Sequence, residues 1–387
     1  MSAGVLIVGA GLAGQRCAET LRARGYDGPV TMVGAEPFAP YDRPPLSKAA
    51  LAADTAHAAV ALRAAGWHAV HRVDLVTASR AIGLDARARV VRFADGTRRT
   101  ARDVVLATGS RPRTLPALDP YENVHTLRTL ADARALGTAL APGARLVVVG
   151  GGFLGLEVAA TARSRDVDVA LVEAGPAPAA GAVGARMGAW LAALHLRAGV
   201  AVRVGATVAR VDGRDGRVRA ICLSTGERLA CDAVLVAVGT VPDTAWAGFP
   251  AGVAVATSGA TGRPGLWAAG DAALPWDAVA RRHVRTEHWE AAARQGAAVA
   301  QAILGRPAAA PAPAFWTDQF GIRMQLAGTA AGHDALVVDG DLDGADARVL
   351  FLRGGRPIGG LLVGRPRALP DLRRLLAGGA RSEELAA

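Results

Sequence analysis

One short grammar occurs twice in this chain and restricts its fold more than any other feature. An apolar run leads into a glycine-rich turn, then an alanine-rich stretch, then a second apolar run that ends on a carboxylate. The first copy reads Val5-Leu6-Ile7-Val8, Gly9-Ala10-Gly11-Leu12-Ala13-Gly14, a stretch to about Arg24, then Val30-Thr31-Met32-Val33 and Glu36. The second reads Leu146-Val147-Val148-Val149, Gly150-Gly151-Gly152-Phe153-Leu154-Gly155, a stretch to about Arg165, then Val167 to Val172 and Glu173. Each copy predicts strand, tight turn, helix and strand. A glycine-rich turn alone is a weak signal. An acid roughly 20–27 residues further on adds the context that dinucleotide binding requires. The first glycine permits the turn, the second lets backbone approach a pyrophosphate, and the third lets helix and strand pack closely. The opening of the helix then faces the phosphates.

Two such folds in one chain suggest one nucleotide that is held and one that exchanges, a pattern that FAD with a nicotinamide fits. Glu173 would accept hydrogen bonds from a ribose 2′-hydroxyl and repel a 2′-phosphate. Ala174-Gly175-Pro176 supplies no arginine to neutralise that phosphate, so NADH is expected rather than NADPH.

At 387 residues the chain has room for two or three domains. Val90-Val91-Arg92-Phe93 before Ala94-Asp95-Gly96 reads as hairpin material, and Pro307 to Pro313 reads as a linker. Beyond it, strand-like runs and one terminal amphipathic helix predict a small α/β domain. The fold class expected is α/β, with two Rossmann-like domains and that third domain. The boundaries expected are 1–112 and 239–313 for the FAD domain, 113–238 for the NADH domain and 314–387 for the last.

Several function classes lose support. The N-terminus has neither a basic n-region nor a cleavage site, and the longest uncharged stretch, Thr244 to Gly262, is broken by Pro250 and glycines. A cytoplasmic chain that does not enter the membrane is expected. Cys17, Cys222 and Cys231 form no CxxC or CxxxxC pair, which argues against a metal site and a redox disulfide and leaves them as buried small hydrophobes. His283 and His288 have no ligand pattern around them. The net charge of +10 suggests an acidic partner. With no dense basic run and no interleaved aromatics, nucleic acid is not expected.

Tyr41-Asp42-Arg43-Pro44-Pro45-Leu46-Ser47-Lys48 holds the only lysine among 44 basic residues. A chain that uses arginine everywhere else keeps lysine where a compact ammonium is needed and a broad guanidinium will not fit.

Here a resemblance becomes specific. VGAGLAG, PYDRPPLSK, LATGSRPR, VVGGGFLGLEVA, AAGDAA and FWTDQFGIRMQLAG occur in the order seen in FAD-dependent ferredoxin reductases of the putidaredoxin reductase and biphenyl dioxygenase reductase type, within the glutathione-reductase-like pyridine nucleotide-disulfide oxidoreductases. The likeness covers nearly the whole chain, and the YDRPPLSK and WTDQ runs carry most of its specificity. It implies an enzyme that passes electrons from NADH through FAD to a [2Fe–2S] ferredoxin serving a cytochrome P450 or a ring-hydroxylating dioxygenase, as a monomer or weak dimer.

By the same resemblance Gly9, Gly11, Ala13 and Gly14 hold the FAD pyrophosphate, and the YDRPPLSK match adds Arg43 and Lys48 to the FAD site, with Lys48 near the flavin N5 edge. Arg128 matches another FAD contact, Asp271 the carboxylate on the ribityl chain, and Trp289 and Trp316 residues lining the flavin. Gly150, Gly152, Gly155, Glu157 and Glu173 match the NADH side, and Glu157 is a candidate partner of Lys48. One departure stands out: Ala35 occupies the place where the family often carries an acid, with Glu36 next. Either Glu36 takes over the ribose hydrogen bonds or backbone contacts hold FAD there more loosely. Ala52 to Arg80 matches the family poorly.

Three other readings share the fold. Disulfide reductases, NADH oxidases and peroxidases need a thiolate beside the flavin, and Ser47 has no cysteine next to it. A redox-sensing interaction module similar to apoptosis-inducing factor would show slow flavin reduction and no ferredoxin turnover. A rubredoxin reductase would differ only in its acceptor.

Overall fold

Val5 and Ile7 point to one face of the first sheet and Leu6 and Val8 to the other, because successive side chains of a strand alternate. Both faces are buried, as a parallel sheet covered on two sides requires. The computed structural model describes residues 4–52, 56–277, 281–306 and 314–378. The expected linker, Pro307 to Pro313, lies outside them. Two compact units emerge, one of residues 4–44, 56–111, 240–277 and 281–306, the other of 45–52, 112–239 and 314–378.

In the first unit Val5–Val8 is the central strand of a five-stranded parallel sheet, in the order Leu266–Ala268, Asp103–Leu106, Val5–Val8, Val30–Val33, Val73–Val76. Leu12–Ala23 is the first helix, ending one residue short of the expected Arg24. It packs on the helix Trp289–Ile303 at close range: a Cβ on Gly296 would lie 2.1 Å from the Ala13 carbonyl oxygen. Val90–Phe93 is the middle strand of a three-stranded antiparallel meander, as its turn residues predict. Its Val91 and Phe93 are buried with Leu6 and Val8.

The second unit repeats the plan. Its parallel sheet runs Ala201–Val204, Asp168–Glu173, Arg145–Val149, Ala233–Val236, Val124–His125. The helix Phe153–Arg163 follows the second glycine turn. The last segment forms a five-stranded antiparallel sheet with the helix Leu369–Gly378 against it through buried Leu372.

One boundary differs from expectation. Residues 45–52, assigned by sequence to the FAD domain, pack in the second unit. The physical reason is a set of backbone ties: the Thr161 hydroxyl donates to the Ser47 carbonyl at 2.8 Å, and Arg165 donates to that of Leu51 at 2.9 Å. The Pro44-Pro45 step is where the chain changes unit.

The cysteines split. Cys17 and Cys231 are buried, and burial above all pushes their thiols up, to about 12 and about 11. Cys222 departs from the expectation: strand alternation puts it opposite Ile221 and Leu223, half-buried, with Arg210 donating to its sulfur at 3.2 Å. Among the described residues no helix is long and apolar enough to cross a membrane, and no His, Cys, Asp and Glu group could hold a metal ion.

Candidate functional site

Each glycine turn divides its labour the same way. Gly9 has φ +124°, and a Cβ there would lie 2.1 Å from the Ala107 carbonyl oxygen. Gly14 would press a Cβ to 2.1 Å from the Gly9 carbonyl oxygen. Between them, a Cβ on Gly11 would meet nothing within 4 Å. So the outer glycines are demanded by the protein's own backbone and the middle one opens a cradle. Gly150 (φ +111°, 2.3 Å from the Ala237 carbonyl oxygen), Gly152 (nothing within 4 Å) and Gly155 (2.1 Å from the Gly150 carbonyl oxygen) repeat this in the second unit. Neither following helix has a side-chain cap or an acid in its first turn, so backbone N–H groups face each cradle, the arrangement that suits phosphate. Ala13 is buried, with its backbone packed against Gly296 at the helix crossing.

In the first unit the loop after Val30–Val33 carries exposed Ala35 and half-buried Glu36. Arg43 donates to one Glu36 oxygen at 2.8 Å and the Tyr41 hydroxyl to the other at 2.5 Å. Burial pulls the Arg43 guanidinium down, but Tyr41, Glu36 and Asp271 outweigh it and hold it above the usual arginine range. Asp271 is buried and accepts a hydrogen bond from Ser110 at 2.8 Å. Trp289 opens its helix and donates from Nε1 to Asp42 at 2.5 Å. Beside it, burial pulls His288 below the usual histidine range, with Asp271 opposing. Glu36, Arg43, Asp271 and Trp289 therefore share this unit with the first cradle. The sequence reading missed Ser110, Tyr41 and Asp42 as their partners.

In the second unit Glu173 takes two backbone donors. The Gly151 N–H reaches one carboxylate oxygen at 2.7 Å and the Gly175 N–H the other at 2.6 Å. Lys48 and Glu157 form an ion pair at 2.8 Å, with the lysine side chain 22% exposed and the glutamate buried. Ser47 donates to Glu157 at 2.5 Å and Thr317 at 2.7 Å. Two hydroxyls and an ammonium thus converge on one carboxylate, three charge-assisted contacts that fix its position. Trp316 alternates with Thr317 along Ala314–Gln319 and is half-buried. Arg128 precedes the capping box of Thr129 and Asp132, its backbone N–H donating to Asp132 at 3.0 Å. Arg128, Lys48 and Trp316, all expected at the flavin, belong to this unit.

The model of the pyridine nucleotide-disulphide oxidoreductase family matches residues 3–296, and a reductase C-terminal model matches 314–387. The chain belongs to the pyridine nucleotide-disulphide oxidoreductase family. It is 39% identical to the ferredoxin reductase component of a chlorobenzene dioxygenase from Cupriavidus sp. (strain PS12), over 99% of this chain and 94% of that one. It is also 39% identical to the ferredoxin–NAD(+) reductase component of the biphenyl dioxygenase system of Paraburkholderia xenovorans (strain LB400), over 90% of this chain and 86% of that one. The putidaredoxin reductase in a covalent complex with putidaredoxin superposes with a TM-score of 0.94 at 31% identity, covering 100% of this chain and 96% of that one. Membership brings FAD and NAD(H) as cofactors. The two glycine cradles fit a pyrophosphate each, and Glu173 fits a ribose that carries hydroxyls.

Proposed function

We propose that this protein is an FAD-dependent NADH:ferredoxin oxidoreductase whose acceptor is an acidic [2Fe–2S] protein serving an oxygenase. It acts in the cytoplasm as a monomer or weak dimer. The carrying observation is the Lys48–Glu157 pair: the run that follows the first cradle delivers the chain's one lysine to a buried glutamate on the helix that opens at the second.

In this reading residues 1–112 and 239–313 form the FAD domain, 113–238 the NADH domain and 314–387 the third, with 45–52 built against the NADH side. Gly9, Gly11, Gly14, the Ala13 backbone, Ala35, Arg43, Arg128, Asp271, Trp289 and Trp316 hold FAD. Glu36 neutralises Arg43 in part and leaves it a directed donor. Gly150, Gly152, Gly155 and Glu173 hold NADH. Bound FAD would supply the chemistry that links two-electron hydride transfer from NADH to carriers that each take one electron. Lys48 would present an ammonium to the bound flavin, and Glu157 would hold it in place. A fixed positive charge of this kind favours the negative charge that builds up on reduction without reorganising at the moment of reaction.

A positive surface steers an acidic partner, and salt screens that steering. Stopped-flow measurement of the two half-reactions between about 20 and 300 mM salt spans Debye lengths of roughly 20 to 6 Å. Ferredoxin reduction should slow steeply across that range, mainly through KM, while reduction of the flavin by NADH stays nearly constant. Absence of ferredoxin turnover would sink the acceptor assignment. A salt-insensitive turnover would leave the acceptor standing and remove the charge argument.

A further inference from the structure

The WTDQ run contributes more than an aromatic residue. Thr317 and Gln319 lie two apart on Ala314–Gln319, so they share a face of the strand, and both are 1% exposed. The Gln319 amide donates to the Thr317 hydroxyl at 3.1 Å, and the His195 ring Nε2 lies 2.9 Å from the Gln319 carbonyl oxygen. His195 sits in the last turn of the helix Ala180–Arg197 and is fully buried.

The donors can be ordered one by one. A hydroxyl has a single proton. Thr317 gives its proton to Glu157, so its oxygen must accept from Gln319, which fixes the amide with nitrogen toward Thr317 and oxygen toward His195. The histidine must then carry its proton on Nε2. Its Nδ1 is buried and has no partner among the described residues. A second ring proton would therefore lie buried without an acceptor, and burial does pull His195 below the usual histidine range, with the Gln319 bond opposing.

We infer that His195 and Gln319 are positioning residues, the root of a one-way chain of donors through Thr317 that holds Glu157 against Lys48. Every donor in the chain points at the carboxylate: His195 to Gln319, Gln319 to Thr317, Thr317 to Glu157. The chain ties the helix Ala180–Arg197 of the NADH half and the last antiparallel sheet to the one ion pair that the proposed function uses. That the pair serves flavin reduction rests on the proposed function; that the chain sets the pair's geometry does not.

The single lysine makes the geometry measurable without turnover. On the FAD-loaded protein, acylation by an N-hydroxysuccinimide ester can be followed at Lys48 by peptide mass spectrometry, separate from the N-terminal amine. The neutral amine attacks the ester and expels N-hydroxysuccinimide, so a lysine released from its carboxylate is acylated faster. Loss of one net hydrogen bond in the chain corresponds to about a two- to tenfold change. Thr317→Val, Gln319→Met and His195→Leu should each raise the Lys48 acylation rate by that factor and lower flavin reduction at saturating NADH by a similar one, with the NADH dissociation constant little changed. Thr317→Ser keeps the hydroxyl and His195→Gln keeps a donor at the Nε2 position, so both should recover the parent values. If His195→Leu does not fold, Gln319→Met, nearly isosteric, carries the same test. Parent-like acylation in folded Gln319→Met and Thr317→Val would overturn the inference. Faster acylation with unchanged flavin reduction would uphold it and overturn the role proposed for Lys48.

Discussion

At the first glycine loop the leading residue would press a Cβ to 2.1 Å from a neighbouring carbonyl oxygen, and at the second to 2.3 Å. The trailing residues give 2.1 Å in both, and the middle residues face open space in both. The skeletons are interchangeable, but the acids that follow them are not. Glu36 is met by a guanidinium and a phenol, and Glu173 by two backbone N–H groups. Backbone amides bring partial charges only, so Glu173 keeps its full negative charge at the cradle. Glu36 spends much of its charge on Arg43. Steric demand makes the loop, and the acid's own partner decides what the loop discriminates.

The largest effects should come from breaking the shared skeleton. Gly9→Ala and Gly150→Ala put an L residue at strongly positive φ, about 1–3 kcal/mol each before any clash, and the clash here is with backbone that cannot swing aside. Either variant should express poorly or melt many degrees lower. Gly11→Ala and Gly152→Ala add a methyl only to the cradle. They should keep the melting temperature of the FAD-free parent, losing bound flavin absorbance in the first case and raising the KM for NADH in the second. A middle-glycine variant that melts as low as an outer one would break the division of labour.

The next prediction exploits the acids. In Glu173→Ala combined with Ala174→Arg the 2′-phosphate loses a repulsive carboxylate and gains a guanidinium able to bind it bidentately. The ratio of kcat/KM for NADPH over NADH should rise by about 100-fold, or ~2.7 kcal/mol. Glu36→Gln should leave that ratio untouched and loosen FAD only modestly, because Arg43 keeps an uncharged acceptor. Parent enzyme that turns over NADPH as well as NADH would remove Glu173 from its assigned role.

How much of this could be read beforehand follows from sequence distance. The strands, turns, helices and Glu173 lie inside segments of about 30 residues with their own periodicity. Lys48 stood out through composition, and its partner Glu157 through family likeness. Ser110 with Asp271, and Thr317 with Glu157, are 161 and 160 residues apart. They involve hydroxyls that carry no pattern, and only folding brings them together. The swap of residues 45–52 into the second unit was hidden for a related reason: two prolines announce a turn but not which body the chain joins next.

The smallest expected effect concerns the strand beside each central one, which opens on an acid in the first unit and follows directly on one in the second. Asp103 is buried and accepts from Trp267 at 2.9 Å. In the second unit Asp232, one residue before the matching strand, lies open and is clasped by Arg145, which donates from Nε at 3.0 Å, from Nη2 at 2.8 Å and from the backbone at 2.9 Å. The Arg145 side-chain bonds foremost hold the Asp232 carboxyl down at about 2. An unfolded aspartate titrates near 3.9. The folded value is the lower, so the stabilisation is complete above about pH 4 and is lost as pH falls through about 2. With its side chain 47% exposed, solvent screening reduces the pair to at most about 1 kcal/mol. Asp232→Asn should thus lower the melting temperature by only ~2–4 °C at pH 7, the shift expected per kcal/mol in a unit of about 200 residues. The gap should hold down to about pH 4, narrow below it, and shrink in high salt. Thermal melts of the parent and the variant across pH 2.5 to about 7 would check the window, and a gap that widened toward acid would show that Asp232 is not the group Arg145 stabilises.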